Sequence, residues 1–195
     1  AYITEVLNIN LFPRNSNIFI QLTFSLLFVE FFSYWLHRIA HHQKILWKFH
    51  EVHHSPKIMW VLNVSRSHPL DILYRLVLPY MLLFILGVKN ETLGLYLVVT
   101  GVISFLQHSN LELNTRFFNY VFATPRLHHW HHTVDIDRAQ CNFGHVLIVY
   151  DLLFGTYYLP KGKETECTEV GITGTEVPSD YVGQMRYPFK NRKAS

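Results

Sequence analysis

An all-α fold set in a membrane, a helical bundle carrying a cytosolic histidine-rich helical cap, is what the sequence predicts. Three observations predict it. Long apolar runs are separated by short turns, charged residues are scarce, and the histidines gather into clusters at helical spacing.

The length of 195 residues suits one domain spanning 1–195. Hydrophobic residues make up 49% of the chain and charged residues 16%, with a mean hydropathy of +0.11. A soluble domain carries roughly 25% charge, so the balance favours lipid. A net charge of +3 is too mild for a nucleic-acid partner. The two cysteines, Cys141 and Cys167, form no CxxC pair and indicate neither a disulfide framework nor an iron–sulfur site. The sequence opens at Ala1 without a signal-peptide pattern, and the expectation is that an N-terminal portion, including a further membrane helix, is missing.

Taken in order, residues 1–17 are mixed and end in the turn-like Pro13-Arg14-Asn15-Ser16-Asn17. The run 18–36 is almost continuously apolar, and its 19 residues at about 1.5 Å each nearly cross a hydrocarbon layer of roughly 30 Å. Glu30 inside it must face protein or a cavity, because a carboxylate is costly against lipid. A buried helix of a soluble protein is the alternative reading of this run. Residues 70–86 and 92–106 are shorter apolar runs joined by Gly87-Val88-Lys89-Asn90-Glu91. They predict a helical hairpin that dips into the membrane and returns. Arg38, Lys44, Lys48, Lys57 and Arg66 follow the first span, against Arg14 before it, so the positive-inside rule places 37–68 and 108–160 on the cytosolic side. Within that cap, 114–127 reads as a short interfacial element. The tail, 161–195, is polar and reads as a cytosolic flap.

Histidine carries the chemistry. Of 13 in the chain, seven fall between His37 and His68 and four between His128 and His132. His37 and His41, at i and i+4, share one helical face and can grip one ion. His50, His53 and His54 stand at i, i+3 and i+4, and His128, His131 and His132 repeat that spacing. His108 follows the hairpin and completes a set of nine. One ion takes about four such ligands in a structural site, so nine point to a pair of ions with positions left open. Imidazole suits iron, copper, zinc or nickel, and spacing alone does not name the metal. His68 is open between ligand, ligand support and helix cap. His42 and His129 lie off the faces set by their neighbours. His145 reads as a packed residue near the site. Glu51 and Asp71 are expected to fix imidazole tautomers by accepting their outer N–H groups, and Glu112 either does the same or is solvated.

At these residues the chain resembles the fatty acid hydroxylase/sterol desaturase superfamily. The resemblance runs over about residues 18–160. It covers His37-Arg38-x-x-His41, His50-x-x-His53-His54, Ser67-His68-Pro69-x-Asp71 and His108-Ser109-Asn110, then His128-x-x-His131-His132, Asn142-Phe143-Gly144 and Tyr150-Asp151-Leu152-Leu153-Phe154-Gly155-Thr156-Tyr157. It implies a membrane helical bundle capped by a cytosolic non-haem dimetal centre, usually di-iron. It also implies O2-dependent hydroxylation or desaturation of a lipid such as a sterol or fatty acyl chain. Tyr150 departs from the Trp that many relatives carry there, and relatives have more membrane helix before the first histidine pair. No nicotinamide, flavin or haem fingerprint is seen, so electrons are expected from a separate reductase or carrier. The rival readings are a histidine-rich membrane metal transporter or sensor and a membrane di-haem cytochrome. Transport predicts ionisable residues along the spans, and a cytochrome predicts single histidines on separate spans.

Overall fold

A computed structural model describes residues 11–111, 113–160, 167 and 169–190; Glu112 and most of 161–168 lie outside them. The described residues are helical, with two isolated antiparallel bridges, Phe122–Leu147 and Thr133–Val170, and no named strand.

The first long helix, α1, is Ile18–His42. It starts where the Asn17 side chain accepts the Ile20 N–H at 3.0 Å, satisfying one of the orphan donors of a first turn. It does not stop at residue 36 but carries His37 and His41 on one more turn and a half. One extended residue, Gln43, breaks it (φ −101°, ψ 112°), and α2, Lys44–His54, folds back against it. This fold-back brings the second histidine cluster to the first.

A short 3₁₀ segment, Val61–Ser65, leads to the hairpin. Its first arm runs 69–86 and is made of α3 (Pro69–Ile72), a π-helical stretch (Leu73–Val77) and α4 (Leu78–Leu86). His68 supplies the cap: its Nδ1 accepts the Leu70 N–H at 3.2 Å, and Pro69 sits where no N–H is needed. Of the three readings left open for His68, the structure selects this one. Gly87 ends the arm in the left-handed region (φ 86°), and Val88 N–H returns to the Leu83 carbonyl at 3.0 Å. The second arm, α5, is Asn90–Gln107, and both arms pack on α1.

The packing is inverted relative to a soluble bundle. Along α5 the buried residues are Thr92, Tyr96, Thr100, Ser104 and Gln107, while Leu95, Leu97, Val98, Val102 and Phe105 are exposed. On α1, Gln21, Ser25, Glu30 and Ser33 are buried, while Phe19, Ile20, Leu27 and Phe31 are exposed. Thr92 Oγ1 donates to Gln21 Oε1 at 2.7 Å, tying the two helices across this polar seam. Two helical segments, Ile18–His42 and Pro69–Leu86, are long and apolar enough to cross a membrane. Glu30 faces protein, as its position demanded. Its carboxylate accepts the backbone N–H groups of His145, Val146 and Leu147.

Beyond the hairpin, a 3₁₀ turn (Arg116–Tyr120) exposes Phe117, Phe118 and Tyr120, and α6 (Pro125–His131) and α7 (Val149–Phe154) follow. The described part of the tail ends in α8 (Tyr181–Arg186) and a 3₁₀ turn lying against α2. Glu51 Oε1 anchors it, accepting the hydroxyls of Thr175 (2.7 Å) and Tyr187 (2.9 Å). That anchoring role is not the one its sequence position suggested.

Candidate metal centre

Nine histidines converge at the cap end of the bundle, in two groups. His37, His41, His50, His54 and His131 form one, and His53, His108, His128 and His132 the other. Within each group one nitrogen per ring lies within 4.8 Å of all the others. These nine are the rings that the spacing singled out; His42, His68, His129 and His145 stand outside both groups.

Each HxxHH triplet is divided between the groups. His50 and His54, one turn apart on α2, join the five-membered group, while His53 projects into the four-membered one. On α6 the division is reversed: His128 and His132 go to the four-membered group and His131 to the other. Two helices facing each other with this pattern hold the groups side by side, and the His54 and His132 rings stack across the boundary at 4.1 Å.

The outer nitrogens decide what the inner ones can do. Nδ1 of His37 lies 2.7 Å from the Phe143 carbonyl and that of His131 2.7 Å from the Cys141 carbonyl. Nδ1 of His108 lies 2.8 Å from the Ser104 carbonyl, that of His53 3.2 Å from the Arg66 carbonyl, and that of His50 3.1 Å from Asp71 Oδ1. These carbonyl and carboxylate oxygens can only accept, so in these five rings Nδ1 bears the proton and Nε2 presents a bare lone pair; His53 Nδ1 also has the Ser67 hydroxyl at 3.3 Å. Asp71 therefore does fix an imidazole tautomer. It is held in turn by two hydrogen bonds from Arg75, at 2.9 and 2.8 Å, and one from Tyr74 at 2.7 Å.

These inward nitrogens crowd one another. Nε2 of His37 lies 2.9 Å from that of His50 and 3.0 Å from that of His131, and Nε2 of His53 lies 3.4 Å from that of His108. Protonation would relieve such contacts, but burial works against it. Burial holds His50, His53, His54, His128 and His132 well below the ordinary imidazole range, His108 near 4 and His131 near 3. His41 is half-buried, and both of its nitrogens are shielded from solvent without a hydrogen-bond partner. Nitrogens bound about 2.0–2.1 Å from a common ion lie roughly 3 Å apart, which is the spacing seen. The donor set fits two cations, one per group.

A loop fixes two of these rings. Asp151 accepts the N–H groups of Phe143 (2.8 Å) and Gly144 (2.7 Å) and the hydroxyl of Thr156 (2.6 Å). Burial pushes its carboxyl up to about 6, against those hydrogen bonds. Asn142 adopts φ 52° and ties the loop to Leu127 and Tyr158. The carbonyls of Cys141 and Phe143 are thereby aimed at His131 and His37, which gives the Asn142-Phe143-Gly144 and Asp151 motifs a physical task. Sequence spacing carries no trace of the first of these contacts, because His37 and Phe143 stand 106 positions apart, whereas His131 and Cys141 are only 10 apart.

Beside the centre lies a cavity of about 290 Å³, lined by His37 of one group and by His53, His108 and His128 of the other. Its far wall is the hairpin, with Ile72, Arg75, Leu76 and Tyr80 from one arm and Leu97, Thr100 and Ser104 from the other. His145 completes the wall. A reactant here would touch both groups and the interior of the apolar segments at once.

The chain is similar in sequence to known proteins. The family model described as fatty acid hydroxylase matches residues 22–156. Ornithine lipid hydroxylase OlsE of Rhizobium tropici is 33% identical over 172 residues, 88% of this chain and 51% of that protein. Alkylglycerol monooxygenase of Homo sapiens is 29% identical over 135 residues (69% and 30%), and the Delta(7)-sterol 5(6)-desaturase ERG3A of Gibberella zeae 28% over 144 (73% and 39%). The chain spans about half or less of the length of these relatives. No solved structure matches it significantly. With a match covering every histidine of both groups, the chain belongs to the fatty acid hydroxylase family.

Proposed function

We propose that this protein is an O2-dependent membrane lipid oxygenase, working through a histidine-ligated di-iron centre and electrons from a separate reductase or carrier. The observation that carries the reading is the pair of converging histidine groups opening on one cavity walled by the apolar hairpin. His37, His41, His50, His54 and His131 hold one ion, and His53, His108, His128 and His132 the other. The centre sits on the cytosolic side of the membrane, the side to which the basic residues after α1 point. Relatives named as lipid hydroxylase, monooxygenase and desaturase support the class of reaction.

Oxygen activation is the chemistry that such an ion pair supplies when bound, and an unactivated C–H bond requires it. The protein's own residues do the rest. Outer acceptors aim His37, His50, His53, His108 and His131 inward, and burial keeps the rings neutral. The hairpin admits a lipid laterally from the bilayer, and the cavity walls hold one carbon beside the centre, so that proximity replaces a bimolecular encounter. Hydroxylation converts C–H, O2, two electrons and two protons into C–OH and water. Desaturation removes two hydrogens from adjacent carbons and yields two waters from the same oxidant and reductant.

The test uses the iron-loaded protein in detergent with a chemical or enzymatic reductant, O2 and total membrane lipid, read by mass spectrometry. A lipid that gains one oxygen atom, or loses two hydrogens, only when O2 and reductant are both present supports the reading. A protein that binds two irons yet alters no lipid overturns it. Metal uptake into proteoliposomes would move the assignment to a transporter.

A further inference from the structure

We propose that His145, paired with Ser104, is a substrate-binding element of the cavity, recognising a hydrogen-bonding group of the lipid next to the carbon that is oxidised. The proposal rests on the oxygenase reading and deepens it. It specifies a lipid with an amide, ester or hydroxyl close to its reacting carbon, rather than one oxidised far along a bare hydrocarbon chain.

The first support is the way His145 is held. Its backbone N–H donates to Glu30, from α1, and its carbonyl accepts Gln107 Nε2, from α5, at 2.7 Å. Two polar side chains buried among apolar helices thus fix the backbone of one loop residue, and its ring faces the cavity. Fixing both sides leaves the ring little freedom, which is the preorganisation a recognition group needs.

The second is its unused hydrogen-bonding capacity. Nε2 lies 3.3 Å from Ser104 Oγ, at the long end for such a bond, and Nδ1 has no partner among the described residues. Two other polar groups of the wall are occupied: Arg75 is paired twice with Asp71, and Thr100 donates to a backbone carbonyl at 3.2 Å. His145 belongs to neither histidine group, so an ion does not account for it. It retains partial exposure although it lies deep in the bundle, and the cavity is what exposes it.

The third is polarity and size. A wall meant only for methylenes would lose hydrogen bonds at His145 and Ser104 whenever the lipid entered, since buried polar groups left unmatched are costly. At about 290 Å³ the cavity is at the low end of ligand sites, roughly 300–1,000 Å³. It admits part of a lipid, and its lining selects the polar part.

The experiment measures binding without turnover, on the detergent-purified, metal-loaded protein under nitrogen and without reductant. Dodecanamide and dodecane serve as probes, matched in chain length and differing in the hydrogen-bonding group, and the thermal midpoint reports binding. The wild type should be stabilised by the amide and not by the alkane. His145→Leu should lose that discrimination while keeping both ions, His145→Gln should retain it, and Ser104→Ala should weaken it. Once a turnover substrate is known, His145→Leu should raise KM tenfold or more on it. Equal stabilisation by both probes, no stabilisation by the amide, discrimination that survives His145→Leu, or ions lost in that variant would each overturn the proposal. Because no oxidation is involved, these outcomes are separate from failure of the oxygenase reading, which shows as unaltered lipid.

Discussion

At the scale of single residues the two histidine groups are unequal, and the inequality has consequences. Removing one ring from the group of five leaves four nitrogens, still a full tetrahedral set, whereas removing one from the group of four leaves three. His132→Ala should therefore weaken its ion by more than His54→Ala weakens the other, and by no less than the roughly 10–100-fold seen when a ligand's supporting partner is lost. Metal titration of both variants checks the order, and equal losses would refute it. The same rings set a pH dependence. Their folded pKa values lie below the unfolded value of about 6.5, near 4 for His108 and near 3 for His131. Below about 6.5 the unfolded chain takes up protons that the folded chain refuses, so stability is present above that pH and drains away as pH falls toward 4 and then 3. Protons also compete for the ligand nitrogens, which steepens the loss when ions are bound. Thermal midpoints measured from pH 8 to pH 4 should fall on the acid side of 6.5, and a flat or rising profile would contradict the assignment of neutral buried rings.

Elements turn local spacing into a centre, and here the sequence could be read only in part. The i, i+4 pairs were legible because a helix puts such residues on one face. That the i+3 histidine of each triplet serves the opposite group was not legible, since it depends on how α2 and α6 face one another. Reading His37 and His41 on one helical face already carried α1 past its apolar run, though no signal marked where it stops. Its apolar pattern ends at Leu36, but its hydrogen-bonded helix runs on to His42 because Gln43 is the residue that breaks it. Glu51 was read as a partner for imidazole from its place beside His50, yet the hydroxyls it accepts come from a tail whose return no local pattern records. The loop at 142–144 is the element most exposed to a small change. A Cβ on Gly144 would sit 2.3 Å from the Leu147 carbonyl oxygen and 3.0 Å from Asp151 Oδ2. Gly144→Ala must therefore shift the loop, at a cost of about 1–3 kcal/mol for overpacking. Because Phe143 O aims His37, the variant should bind at least one ion more weakly. Unaltered metal affinity with a lowered thermal midpoint would confine the loop's role to folding.

For the molecule as a whole, a polar seam runs beside the apolar cluster of Val29, Leu83 and Tyr96 between the long helices, while many apolar residues face outward, so packing between helices gains little from the hydrophobic effect where lipid surrounds them. Cohesion then comes from close packing of that cluster, from the polar seam and from the centre. The centre draws ligands from α1, α2, α6 and the residue after α5, segments spread from His37 to His132. Without cations, neutral rings held by their outer hydrogen bonds would turn lone pairs toward one another at about 3 Å, which opposes the fold rather than supporting it. Ion binding is therefore linked to folding. Stripping the ions with a chelator should lower the thermal midpoint and loosen the cap end of the bundle more than the hairpin, as read by hydrogen exchange of α2 and α6 against α4 and α5. Restoring Fe(II) should reverse both effects, with a stoichiometry near two because the nitrogens form two groups. Full recovery after one equivalent would mean that a single ion organises all nine rings, and the paired centre would have to be abandoned.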